Sequence, residues 1–361
     1  MVVTLLASIF VFGILVLVHE VGHFVAAKLT DMRVDRFAIG FGPRIVKYTH
    51  DEFAIGFGPR LVSFRYGETV YSIRIVPLGG FNDIAGMDAA NNTAGERGYC
   101  AKSIPARMIV ILAGSFMNLI LPIFLFFGIF FFAGVSTPSS EPVLGTVVAG
   151  HPAANAGLLA GDRIVAIEGA PVNSWQDITS LIKDADGKVL HVEYERAGEH
   201  QTVSVIPAYN AQEKRSLIGV SSSVTTRMPG FFEAAELAVT RTGTTLMMML
   251  SMLGQMVTGA QQADLAGPIG VAQIAGEAAQ IGVVPLLSLT ALLSLNLAII
   301  NLFPIPALDG GHFLTLVVEA VRGKPLSAKA MHYAQMFGVS LLVLLMLYAT
   351  KNDIMRIFVG G

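Results

Sequence analysis

The chain has 361 residues, of which 53% are hydrophobic and only 14% charged, with a formal net charge of −2 and a mean hydropathy of +0.63. That is too apolar for an ordinary soluble globule, and the balanced charge excludes a polybasic surface for nucleic acid. A single cysteine, Cys100, excludes an internal disulfide, a thiolate zinc cage and the usual iron–sulfur clusters, which leaves His and carboxylate as metal ligands.

The first apolar run, Val2 to Val18, has no basic region ahead of it, and its helical pattern continues through His19 to Ala27 without a cleavage site. It reads as a retained transmembrane helix within 1–30. Between 31 and 104 the pattern turns to strands. Leu61 to Phe64 and Thr69 to Val76 alternate or run β-branched between glycines, and Pro77-Leu78-Gly79-Gly80-Phe81 reads as a turn, giving a small β-sheet at the membrane face. The octapeptide FAIGFGPR occurs twice here, from Phe37 and again from Phe53.

A second span is expected within 105–135, from the run Met108 to Val135. The composition of 141–208 is that of a soluble α+β module, with short strands at Val143 to Val148, Arg163 to Ile167, Val189 to Tyr194 and Thr202 to Ile206 and a helix from Trp175 to Lys183. Residues 209–282 read as a linker with a membrane-associated helix, in which Leu246 to Val257 lies partly embedded or on the surface rather than spanning. A third span occupies 283–312 and a fourth 335–350. The fold class expected is thus a multi-pass α-helical membrane protein of about four transmembrane helices, with a membrane-associated β-sheet and one α+β domain.

Lys28, Arg33, Arg36, Arg44 and Lys47 follow span one, Lys102 and Arg107 precede span two, and Arg322, Lys324 and Lys329 lie between spans three and four. By the positive-inside rule these loops face the cytosol and the 141–208 module lies outside it.

His19-Glu20-Val21-Gly22-His23 is an HExxH pattern. On a helix, positions i and i+4 share a face, so both imidazoles can reach one zinc ion while Glu20 reaches the water to be activated. Ionisable groups within a hydrophobic helix cost roughly 2.5–3.5 kcal/mol each unless partnered, so a solvated surface is a poor alternative reading. A catalytic zinc needs a third protein ligand. Asp309, in Asn301-Leu302-Phe303-Pro304-Ile305-Pro306-Ala307-Leu308-Asp309-Gly310-Gly311, is the best candidate, because the two prolines break the span where a polar cavity would have to be lined. Its alternative role is to cap the following helix, and His312 is a rival ligand. Asn118, in Gly114-Ser115-Phe116-Met117-Asn118, either donates to an oxyanion or joins helices; Asn296 and Asn301 carry the same ambiguity, with Asn301 favoured by its nearness to the break.

Together, HEVGH, FAIGFGP, PLGGF, GSFMN and NLFPIPALDGG resemble the site-2 protease family of intramembrane metalloproteases, in particular the bacterial regulator of sigma-E protease group, over nearly the whole chain. The resemblance implies Zn2+ held by His19, His23 and Asp309, Glu20 as catalytic base, and Asn118 and Asn301 as groups that bind substrate backbone or transition state. It implies a PDZ-like character for the 141–208 module, as a filter for transmembrane protein substrates already cut by another protease, in a bacterial inner or plasma membrane. An edge strand from the Arg60 to Val76 region is then expected to pair with an unwound substrate segment. Two departures stand out: members often carry two PDZ-like modules where this chain has room for one, and FAIGFGPR normally appears once. A noncatalytic membrane adaptor and a metal-ion transporter are the competing classes. Glu20 argues against the first, since a structural metal needs no base, and the lack of further intramembrane acids argues against the second.

Overall fold

The computed structural model describes residues 1–41, 60–74, 76–87, 94–210, 215–259 and 267–356. The chain divides into two compact units, Met1–Phe131 with Gly230–Gly361, and Phe132–Pro229.

In the first unit, α1 (Val2–Leu29) is followed by β1 (Val34–Phe41), β2 (Arg60–Tyr66), β3 (Thr69–Arg74) and β4 (Val76–Ile84). These strands form one sheet in the order β2-β3-β1-β4, with β1 parallel to β3 and antiparallel to β4. The Pro77 to Phe81 segment, expected as a turn, lies within β4. Two features reconcile its composition with a strand. Edge position tolerates the missing N–H of a proline, and Gly79, at φ 109°, sits where the β1–β4 register slips between Ile39 and Phe41. The second copy of FAIGFGPR, up to its final Arg60, falls outside the described residues, as do Gly42 to Arg44 of the first.

The second apolar run forms α2 (Ile104–Ala133), and among the described residues five helices of the C-terminal part, α5 (Phe231–Val257), α6 (Pro268–Ile281), α7 (Val283–Asn301), α8 (Asp309–Arg322) and α9 (Ala328–Met355), complete this unit. Among the described residues four helices, α1, α2, α7 and α9, are long and apolar enough to cross a membrane. The methionine-rich stretch belongs to α5, which begins fifteen residues before Leu246, at Phe231, and packs Ala238 against Phe126, Ile129 and Ala291. Helix α6 lies along α1, with Ala275 buried among Ala7, Val11 and Leu15. Its N-terminal amides at Gly267 and Gly270 donate to the buried carboxylate of Asp353 on α9, at 3.0 and 2.8 Å, which satisfies two of the donors a helix start leaves free.

A second core gathers Ala26, Ala27, Met32 and Val34 with Ile84, Val110, Ile111 and Leu316, so that α1, the sheet, α2 and α8 share one interior. Arg107 on α2 spans to Glu319 on α8 through a bidentate ion pair at 2.9 and 2.6 Å.

The second unit contains β5 (Val135–Pro138), β6 (Leu144–Val147), α3 (Pro152–Asn155), β7 (Arg163–Ile167), β8 (Ala170–Pro171), α4 (Trp175–Lys183), β9 (Leu190–Arg196), β10 (Glu199–Val205), β11 (Ala208–Asn210), β12 (Arg215–Leu217), β13 (Val220–Ser222) and β14 (Val224–Arg227). Helix α4 begins with a capping box between Ser174 and Asp177 and packs Ile178 and Ile182 into the core of this unit. The module is larger than 141–208: β13 returns to pair with β6, and β14 with β5. Pairings between strands so far apart in sequence leave no local periodicity to read.

Candidate metal centre

The HExxH segment lies in the second half of α1, and α2 crosses it there with almost no side chain between. A Cβ on Gly22 would stand 2.4 Å from the Ala113 carbonyl oxygen, and one on Gly114 would stand 2.3 Å from His23 Nε2. Glycine at both positions is what lets the two helices meet and the imidazoles lie against the α2 backbone.

Asp309 arrives from the other side. It is the first residue of α8, and Leu308 rather than Asp309 occupies the capping position, with no side-chain cap bond. The carboxylate faces the histidines: Oδ2 lies 3.4 Å from His19 Nε2 and Oδ1 3.6 Å from His23 Nε2, while the two Nε2 atoms are 3.1 Å apart. Ligands at zinc distances of about 2.0–2.1 Å in a tetrahedral site lie roughly 3.3 Å from one another. The observed separations fit that spacing, and these three side chains are a group able to hold one metal ion among the described residues. His312, the rival ligand, is not a member of the group.

The surroundings orient these donors. His23 Nδ1 sits 2.8 Å from the Val110 carbonyl oxygen, which can only accept, so the ring proton lies on Nδ1 and the Nε2 lone pair is free for a metal. Asn118, fully buried, places its amide 3.3 Å from His19 Nδ1 and leaves its own Oδ1 without a partner among the described residues. Since the two ends of an amide are interchangeable in shape, turning Oδ1 toward His19 lets it accept from Nδ1–H and gives this ring the same tautomer as His23. Asn118 is thus placed behind a candidate ligand. Ser115 Oγ donates to Asp309 Oδ2 at 2.9 Å.

Glu20 is buried, 8% exposed, one residue after His19. Its carboxylate accepts from Asn82 Nδ2 of β4 at 2.7 Å. This is the residue that the sequence reading missed, because nothing in the pattern of 60–84 shows which strand touches α1. The strand beside Glu20 is β4, an edge of the sheet among the described residues, whereas β3 is interior and β2 is the opposite edge. Asn301 is the last residue of α7, partly exposed, and takes no part in the hydrogen bonds that hold the triad; Asn296 is exposed.

Two histidines and a buried glutamate on a membrane-length helix, with a carboxylate brought to them by α8, fit the class of membrane-embedded metallohydrolases. The family model described as peptidase family M50 matches residues 7–52 and 47–345. The regulator of sigma-W protease RasP of Bacillus subtilis is 31% identical, with 98% of this chain and 99% of that protein covered. The zinc metalloprotease RasP of Bacillus licheniformis is 32% identical over 98% and 99%, and the regulator of sigma-E protease RseP of Salmonella typhimurium is 30% identical over 98% of each. A solved PDZ domain of an SdrC-like protein from Listeria monocytogenes is 22% identical over 24% of this chain and 93% of its own, at a TM-score of 0.21.

The chain belongs to peptidase family M50, the site-2 proteases. It is an intramembrane zinc metalloprotease, and membrane proteins are its substrates.

Proposed function

We propose that His19, His23 and Asp309 hold the zinc, that Glu20 is the catalytic base, and that the chain cuts transmembrane segments of regulatory proteins such as anti-sigma factors, or signal-peptide remnants, after a first cut by another protease. The observation that carries this reading is the meeting of three ligand atoms from α1 and α8 at zinc spacing, with a buried carboxylate next in sequence to one of them.

Bound zinc would supply a Lewis acid that acidifies a water and polarises a carbonyl. The Glu20 carboxylate takes the proton of the attacking water and passes it to the leaving amide nitrogen. His23 and His19 are held in the ligating tautomer by Val110 and Asn118, and Ser115 steadies Asp309. A substrate helix must unwind before a carbonyl can be presented, since its backbone is bonded internally. The edge strand β4, beside Glu20, suits the pairing of such an unwound segment better than the Arg60 to Val76 strands. Asn301 remains a candidate to bind the substrate backbone. The basic loops support, by the positive-inside rule, a site facing the cytosol and an outer-side role for the 141–208 module as a PDZ-like filter in the bacterial plasma or inner membrane.

Glu20→Gln tests the reading. It should retain stoichiometric zinc and lose cleavage of a membrane-embedded peptide, whereas His23→Ala should lose both; loss of zinc in Glu20→Gln would overturn the assignment of roles.

A further inference from the structure

β4 crosses α1 at the candidate base. Its register against β1 sets Ile39 opposite Gly80 and Phe37 opposite Asn82. Residues two apart on a strand share a face, and both Gly80 and Asn82 meet Glu20. A Cβ on Gly80 would stand 2.6 Å from Glu20 Cγ. Two residues on, Asn82 Nδ2 donates both to the Glu20 backbone oxygen at 2.8 Å and to Glu20 Oε2 at 2.7 Å. Asp83, on the opposite face, is engaged elsewhere, by Arg36.

We propose that Asn82 is a positioning residue for Glu20: its amide ties the carboxylate to the edge strand and fixes the direction in which the free oxygen points. This rests on Glu20 being the base. One amide nitrogen reaching the backbone and the side chain of the same residue leaves the carboxylate little rotational freedom, because the carbonyl bond fixes the amide and the amide fixes the oxygen. Asn82 Oδ1 is buried without a partner among the described residues. Packing by itself would be served as well by a leucine, which has nearly the same shape and orphans no acceptor. What asparagine adds is the pair of N–H donors aimed at Glu20. A general base must sit within hydrogen-bond reach of the proton it takes, so a carboxylate released from its tether should lower the rate of the chemical step and leave substrate binding alone.

The experiment uses the full chain in detergent, with a labelled single-span peptide as probe, and follows kcat, KM, zinc content and thermal unfolding. Asn82→Leu is expected to lower kcat by about tenfold to a hundredfold, with KM within twofold, zinc stoichiometric and unfolding unchanged; Asn82→Gln, which restores an amide, should recover part of kcat. Unchanged kcat, or a loss confined to KM, would overturn the proposal, the second showing that Asn82 serves the substrate strand instead. Should Asn82→Leu fail to fold, Asn82→Ala removes the donors without adding a charge beside Glu20 and is read by the same criteria. Glu20→Gln is run in parallel: if it cleaves like the parent, the role of Glu20 falls, whereas an inactive, zinc-loaded Glu20→Gln beside an undiminished Asn82→Leu removes only the role of Asn82.

Discussion

Ser115 and Asp309 are 194 positions apart in sequence and joined by one hydrogen bond, Oγ to Oδ2 at 2.9 Å. Through it α2 reaches the third candidate ligand on α8 and holds one oxygen of its carboxylate. Partners of this kind cost about tenfold to a hundredfold in metal affinity when removed. Ser115→Ala should therefore bind zinc more weakly by that factor while folding normally. Titration against a chelator of known affinity measures it, and an unchanged zinc affinity would mean that Asp309 does not depend on the serine.

The same two helices are clamped further along by Arg107 and Glu319, whose side chains are 10% and 15% exposed. Removing one partner of a buried ion pair leaves the other charge uncompensated, at about 3–5 kcal/mol. Glu319→Ala should unfold at distinctly lower temperature or denaturant concentration than the parent. Arg107→Met with Glu319→Leu, which removes both charges, should recover much of that loss. Equal instability of single and double variants would show that packing, rather than charge, sets the contact.

The second unit can be trimmed at a place the strand pairing dictates. β5 and β14 form an antiparallel ladder from Val135–Arg227 to Pro138–Val224, closed by the Ser139 amide on the Ser223 carbonyl. Replacing 140–222 by a short turn keeps that ladder, whereas removing 141–208 would take β6 away and leave β13 without its partner. If this unit is a filter, the trimmed protein should bind zinc, cleave short membrane substrates and accept a wider range of them. A folded, zinc-loaded protein that cut none of them would contradict the filter.

The duplicated octapeptide permits a fourth change. β1 takes Phe37 to Phe41 from the first copy and holds β4 in place. Deleting Phe37 to Glu52 joins Arg36 to Phe53-Ala54-Ile55-Gly56-Phe57, the same five residues in the same order. The family match itself breaks into two segments that overlap at 47–52, between the copies. The deletion should therefore rebuild β1 and keep zinc and most activity, measured as zinc content and cleavage rate beside the parent. A folded deletion without zinc would show that the first copy contributes something its twin cannot replace.

The sequence by itself determined the elements whose cause is local. Four apolar runs were legible because a spanning helix must satisfy its own backbone within one continuous segment, and α4 was legible from Trp175 to Lys183 because its cap and its apolar spacing lie in the same stretch. His19, Glu20 and His23 could be read as a group because one helical turn brings i and i+4 together. Asp309 stood out because two prolines end the preceding span just before it.

Only the tertiary structure decided the rest. The strand across Glu20 is β4, in a segment whose glycines and proline read as a turn, and its place depends on β1, β3 and α1 together. Asn118 faces His19 because Gly22 and Gly114 allow α1 and α2 to touch, and Ser115 meets Asp309 because α8 packs against α2. The second unit closes on strands that begin at Val135 and end at Arg227. None of these contacts has a period or a spacing in the chain. Each arises where separate elements bury a common surface, and so the candidate ligands stood out in the sequence while the residues packed around them did not.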